Sequence, residues 1–226
     1  MPNRVYVLGG AQTDFARNFK REGLEIFDVI RETAEQALAA VDLAPEDVDT
    51  AHVGNFTAEL FCRQGHLGGL LAAALPAFAG LPCGRHEAAC ASGSIAALAA
   101  GAELEAGRYG TALVLGIEQM RNVPGDVAAD YIGGPALWSG HECTDVAFPW
   151  PHQFGLLGDE YDRRFGLKSE HLTAIARQNF ANARRNPNAQ TRGWRFEEAS
   201  FSPDDELNPV IDGRIRKQDC GQITDG

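Results

Sequence analysis

Apolar side chains recur at Leu24, Phe27, Ile30, Ala34, Leu38 and Val41 with charges between them. That spacing is the stripe of an amphipathic helix of about four to five turns. Residues 4–10, RVYVLGG, alternate instead and are β-branched, so they predict a first strand with a tight exit at the glycine pair. Residues 50–56, TAHVGNF, predict a second strand, and 64–80, apolar on nearly every side, a buried helix that Pro76 ends or kinks. GRHEAAC (84–90) then leads through a sharp turn into the small-residue helix ASGSIAALAAGAELEAG (91–107), closed by Gly107. TALVLGIE (111–118) has the continuous apolar character of a strand buried on both faces. Strands alternating with helices in this order predict an α/β fold with a mainly parallel sheet and helices on both faces.

Beyond Met120 the period disappears. The stretch from Arg121 to about 155 is rich in Gly, Pro and Trp, which predicts an irregular excursion over the sheet. Two helices follow at about 156–166 and 169–185, the second with Ser169 as N-cap and Leu172, Ile175, Ala176 and Phe180 on one face. The tail to Gly226 is loop-rich with short extended pieces. The expected organisation is therefore an α/β core over 1–119, a loop or cap domain over 120–218, and a return to the core over 219–226.

Composition narrows the class. The chain has 226 residues, 44% of them hydrophobic, enough for one sizeable core and a second small subdomain. No stretch approaches the roughly 20 uninterrupted apolar residues that cross a bilayer, and the apolar run at the start is too short for a secretory signal. A cytoplasmic protein is expected. Cys62, Cys83, Cys90, Cys143 and Cys220 are odd in number and irregularly spaced, which predicts reduced thiols rather than a disulfide framework. A formal charge of -11 argues against nucleic acid and anionic membranes as partners. Within 151–195, however, eight Lys and Arg face four Asp and Glu, which suits either a small anionic ligand or a solvated helix surface.

The strongest candidate for chemistry is Cys90. A thiol at the start of a helix feels the partial positive charge of unpaired amides, which favours the thiolate, and those amides can hold a developing oxyanion. Ala91, Ser92 and Gly93 leave room for a substrate carbonyl. The competing assignment is a buried, inert cysteine. His86 is a poor partner for it: along a strand, four residues separate Cα atoms by roughly 13 Å, whereas nucleophile and base must approach within about 3 Å. A place beside the sheet or at a subunit contact fits His86 better. Cys83, His86 and Cys90 match no standard zinc spacing, and 141–143, HEC, lacks the second helical histidine of a zinc protease. No metal site is expected.

Residues 90–120, CASGSIAALAAGAELEAGRYGTALVLGIEQM, strongly resemble the nucleophile, helix and strand segment of the thiolase family. The resemblance continues through RVYVLGGAQTDFAR at the start, QFGLLGDEYDRRFGLKSEHLTAIARQN (153–179) and DCGQITDG (219–226), so nearly the whole chain is covered. The last of these is most similar to sterol-carrier-protein-type thiolases and related acetyl-CoA acetyltransferases. The resemblance implies the N-terminal half and loop domain of a thiolase, with Cys90 attacking a 3-ketoacyl-CoA, holding the acyl group as a thioester and passing it to coenzyme A, or running the reverse Claisen condensation. Coenzyme A would be a substrate, with no resident cofactor. By position, Gln153 and Phe154 would face the acyl or pantetheine pocket and Gly221 would lie near pantetheine. The basic segment would meet the phosphates of coenzyme A. A homodimer or homotetramer, paired through the strand before the nucleophile, is implied as well.

The family's second half supplies a Gly-His-Pro base, a Cys-x-Gly acid/base cysteine and an Asn or His motif, none of which occurs in residues 1–226. Turnover by this chain alone is therefore not expected. A fragment of a longer protein, a natural half that pairs with a separate C-terminal-half chain, and a degenerate relative all fit, the first being favoured. Two rival functions remain at this point: a ketoacyl-synthase-like or hydroxymethylglutaryl-CoA-synthase-like condensing enzyme, and a non-catalytic acyl-CoA-binding or scaffold subunit that needs a partner chain.

Overall fold

The computed structural model describes residues 3–226 and divides the chain into two compact units. The first holds the residues up to Asn122 together with Thr224–Gly226, and the second spans Val123–Ile223.

The first unit is built on three parallel strands, β1 (Thr50–Gly54), β2 (Cys83–His86) and β3 (Ala112–Gly116), in the order β2-β1-β3. The register sets Ala51 opposite Cys83 and Leu113, and Gly54 opposite His86 and Gly116. Alternation along β1 divides its side chains between two faces. Ala51 and Val53 join Leu115 in a core with the apolar stripe of α2 (Ile26–Ala39) and with Leu67 and Leu71 of α4 (Leu67–Ala74). His52 and Gly54 face the other way, toward α5 (Ser92–Glu105). The fold class expected from the element order is present: a parallel sheet with helices on both faces. An antiparallel bridge between Gln119 and Asp225 ties the returning chain beside the exit of β3.

Several expectations need correction. Residues 4–10 form no strand, because among the described residues no open edge pairs with them: Val5, Tyr6, Val7 and Leu8 are 40%, 71%, 93% and 68% exposed. Alternation alone cannot make a ladder without a partner. β3 is buried on one face only, since Val114 points to the α5 side and is 39% exposed while Leu115 enters the core. The helix expected over 64–80 is shorter, and α4 buries one face of it before the chain turns at Pro76. α5 is apolar nearly all round yet buries only Ser92, Ala96 and Ala100, the positions four apart that meet the sheet. Two short helices, α1 (Phe19–Glu22) and α3 (Ala58–Cys62), were too brief to show a period.

In the second unit, part of the expected irregular excursion is helical: α6 spans Gly125–Gly133, and α7 begins at Pro149 and runs to Phe165. A proline suits the first position of a helix, where its missing N–H costs nothing. α8 (Ser169–Ala183) starts with Ser169 as its first helical residue, and Lys168, whose side chain makes no cap, takes the N-cap place. The hairpin of β4 (Val210–Asp212) and β5 (Ile215–Arg216) is fastened to α7 by Arg214, which reaches Asp159 at 2.7 Å and Asp162 at 3.0 Å. Phe180 of α8 packs against Phe196 and Phe201 as the unit's aromatic core.

Candidate active site

The turn from β2 into α5 carries Cys90. Ala89 adopts φ 48°, a left-handed conformation that costs a non-glycine residue of order 1 kcal/mol or more. Ser92 holds this turn from within: its hydroxyl donates to the Ala89 carbonyl at 2.7 Å and accepts from the Ala88 amide at 3.0 Å. The Glu87 carboxylate accepts the Ala89 amide at 2.6 Å. Cys90 is thereby raised into solvent on a single turn of tight helix ahead of α5. The first turn of α5 comes this close to the sheet because Gly54 faces Gly93. A Cβ on Gly54 would sit 2.6 Å from Gly93 Cα and 2.8 Å from the Ser92 carbonyl carbon, so only glycine fits. The result is a thiol at the carboxyl end of parallel strands, where open α/β sheets place their ligands.

The other cysteines have different surroundings. Burial pushes Cys62 up to about 11, with the Glu118 and Asp225 carboxylates adding to it, and burial alone pushes Cys83 up to about 11. Burial, then Asp219, raises Cys220. These three are neutral thiols near neutral pH. Cys143 is half-buried in the second unit, where Gln153 Nε2 donates to its sulfur at 3.1 Å. Cys90 is thus the exposed thiol.

His86, at the end of β2, directs Nε2 to His52 Nδ1 at 2.8 Å, and His52 Nε2 meets Glu103 Oε2 at 3.0 Å. Neither His52 nor Glu103 stands out in the sequence, because their partners lie dozens of positions away on other elements. Across the sheet, Arg85 pairs with Glu59 and donates to the Phe56 carbonyl at 2.8 Å. Glu118, at the exit of β3, is pushed up to about 7 by burial, against the pull of the Phe56 amide, Arg85 and the Thr57 amide.

Gln153, Phe154 and Gly221 belong to the second unit, whereas Cys90 belongs to the first. Gln153 lies on α7 beside Cys143, Phe154 on the same helix is 59% exposed, and Gly221 is exposed in the loop before Asp225. In the basic segment, Arg163 and Arg164 both grip Glu160, and Arg177 pairs with Glu198. Among the described residues no group of three His, Cys, Asp or Glu is placed to hold a metal, and no helix is long and apolar enough to cross a membrane.

A parallel sheet with helices on both faces that delivers an exposed cysteine on a strained strand-to-helix turn defines an α/β domain with a candidate thiol site. Residues 5–193 match the family model of the thiolase N-terminal domain, and the chain belongs to the thiolase family. It is 28% identical to an acetyl-CoA acetyltransferase of Methanothermobacter thermautotrophicus over 225 residues, covering 98% of this chain and 55% of that protein. It is 30% identical to an acetyl-CoA acetyltransferase of Methanocaldococcus jannaschii over 189 residues, 82% of this chain and 45% of that one. Human sterol carrier protein 2 is 27% identical over 198 residues, 83% of this chain and 34% of that one. The chain thus spans about half the length of the two archaeal relatives.

Proposed function

We propose that the chain carries the acyl-accepting site of a thiolase-type acyl-CoA acyltransferase, with Cys90 as nucleophile. The observation that carries this is the placement of an exposed thiol on the strained turn before α5, while Cys62, Cys83 and Cys220 are held protonated. The Cys90 thiolate adds to the thioester carbonyl carbon of an acyl-CoA, or to the 3-keto carbon of a 3-ketoacyl-CoA, and the first-turn amides of α5 steady the charge that develops on oxygen. Collapse of the adduct expels the coenzyme A thiolate, or the enolate of acetyl-CoA when the substrate is a 3-ketoacyl-CoA, and leaves an acyl-cysteine. Resolution needs a second thiol and a group that moves its proton. We assign those steps to residues outside 1–226, so this chain is acylated but does not turn over by itself. Gln153, Phe154 and Gly221 are proposed to contact the acyl-pantetheine chain, and the free edge of β2 to pair with a second copy of the protein.

Acetyl-CoA incubation followed by peptide mass spectrometry tests this. One acetyl group should appear on Cys90, none should form in Cys90→Ser as a thioester, and sustained thiolysis of acetoacetyl-CoA should be absent. Acetylation that persists in Cys90→Ala, or steady thiolysis by the pure chain, would overturn the proposal.

A further inference from the structure

One chain of side chains joins the strand that enters the Cys90 turn to the last turn of the helix that leaves it. His86 is the last residue of β2, and its carbonyl accepts the Asn55 amide at 3.1 Å. Its ring reaches His52 on β1, and His52 reaches Glu103 on α5, whose carboxylate also takes the Thr50 hydroxyl at 3.2 Å. The residues between His86 and α5 are the turn that lifts Cys90. A chain from strand end to strand to helix therefore spans the strained segment, and every link of it but Thr50 is titratable.

Hydrogen-bond logic fixes the protons. Glu103 accepts Nε2–H of His52, which leaves His52 Nδ1 as an acceptor for Nε2–H of His86. One added proton keeps the contact, because a single cationic ring still donates to its neutral partner. A second proton breaks it, since two N–H groups would then face each other across 2.8 Å. Other groups do not offset this. From Leu67 to Ala74, α4 carries no charge, Arg85 points to the opposite sheet face toward Glu59, Glu87 is engaged with the Ala89 amide, and Arg108 lies in the field of Glu103. Burial and the neighbouring His52 both hold His86 below its ordinary value, against the pull of Glu103.

We infer that Glu103, His52 and His86 form a proton-sensitive brace that positions the Cys90 turn, so that acid detaches the turn and lowers the reactivity of the nucleophile. His86 is a positioning residue in this scheme, not a base. The inference rests on the proposed role of Cys90 as acyl acceptor.

The test is the rate of Cys90 alkylation by iodoacetamide, read at that peptide from about pH 5 to about pH 9. In the wild type the logarithm of the rate should fall with the thiolate fraction and then bend to a steeper fall once the pair takes its second proton. His86→Gln places a non-titrating N–H at the position of Nε2, so its profile should lose the bend. Glu103→Gln keeps an oxygen for His52 but removes the charge that favours protonation, so its bend should move to lower pH. His86→Ala should be slower at every pH, by roughly tenfold for a turn left unheld. A wild-type profile without a bend, a bend retained in His86→Gln, a bend unmoved in Glu103→Gln, or faster reaction in acid would each overturn the brace. Iodoacetamide needs no acyl-CoA site, so a bend without acetylation of Cys90 refutes the acyl transfer alone, and acetylation without a bend refutes the brace alone.

Discussion

Glu118 turns its carboxylate inward at the exit of β3, where it accepts the Phe56 amide and Asn55 Nδ2 at 3.0 Å. Its value rises from 4.5 to about 7 because burial penalises the charge more than its partners repay. A raised folded value means that the native state holds the proton more tightly than the unfolded chain. The resulting stability is complete below about pH 4.5 and is lost as pH rises through about 7, a contribution of about 3 kcal/mol at most. Glu118→Gln imitates the protonated form, so the fall in melting temperature between about pH 5 and about pH 8 should shrink in that variant. An unchanged slope would show that Glu118 is ionised in the folded protein throughout. His86 works with the opposite sign: its lowered value gives stability that is present above 6.5 and lost as pH falls below it. Cys90 stands out in the sequence as a candidate because small residues cluster beside it. The His52–Glu103 link does not, since it joins residues 51 positions apart whose meeting depends on how α5 lies on the sheet.

At the scale of elements, the approach of α5 to β1 depends on two glycines with no side chains between them. Gly54→Ala would drive a Cβ into the backbone at Ser92 and Gly93, where no rotamer change can relieve the clash. The expected cost is about 1–3 kcal/mol of overpacking, and more if α5 cannot slide. Because the strain falls on the first turn of α5, the alkylation rate of Cys90 should drop together with the denaturation midpoint. A Gly54→Ala protein with native stability and native Cys90 reactivity would refute this packing. The helices of the first unit were legible where a stripe of apolar residues met a core, as at Ile30, Ala34 and Leu38. Val5 and Val7 misled for the converse reason: their alternation is real, but strand formation is decided by a neighbour's free N–H and C=O groups. α7 begins about seven residues before the start that its sequence suggests, because Pro149 and Pro151 look like breakers although both stand in its first turn.

At the scale of the whole molecule, the chain leaves the first unit after Asn122 and returns to it at Thr224. Asp225 fastens that return. Its carboxylate is fully buried and accepts the amides of Phe19, Met120 and Arg121 at 2.8–2.9 Å. The same unit leaves much apolar surface in water: Tyr6, Val7 and Leu8 on the segment that joins no strand among the described residues, and Ile95 and Leu98 on α5. Single exposed apolar residues are ordinary, but a run of them, and a helix that leaves Ile95 and Leu98 in water, favour association. The chain should therefore form species larger than the proposed dimer. Val7→Lys combined with Leu98→Lys should remove those species, because a charge must be desolvated to enter an apolar contact. The melting temperature should barely move, since Val7 is 93% and Leu98 is 68% exposed, and substitutions at such positions shift stability by about 0.5 kcal/mol or less. Sedimentation velocity beside a thermal melt separates the outcomes. Unchanged association would mean that other surfaces hold the copies together, and a large loss of stability would mean that these side chains are packed in the folded chain.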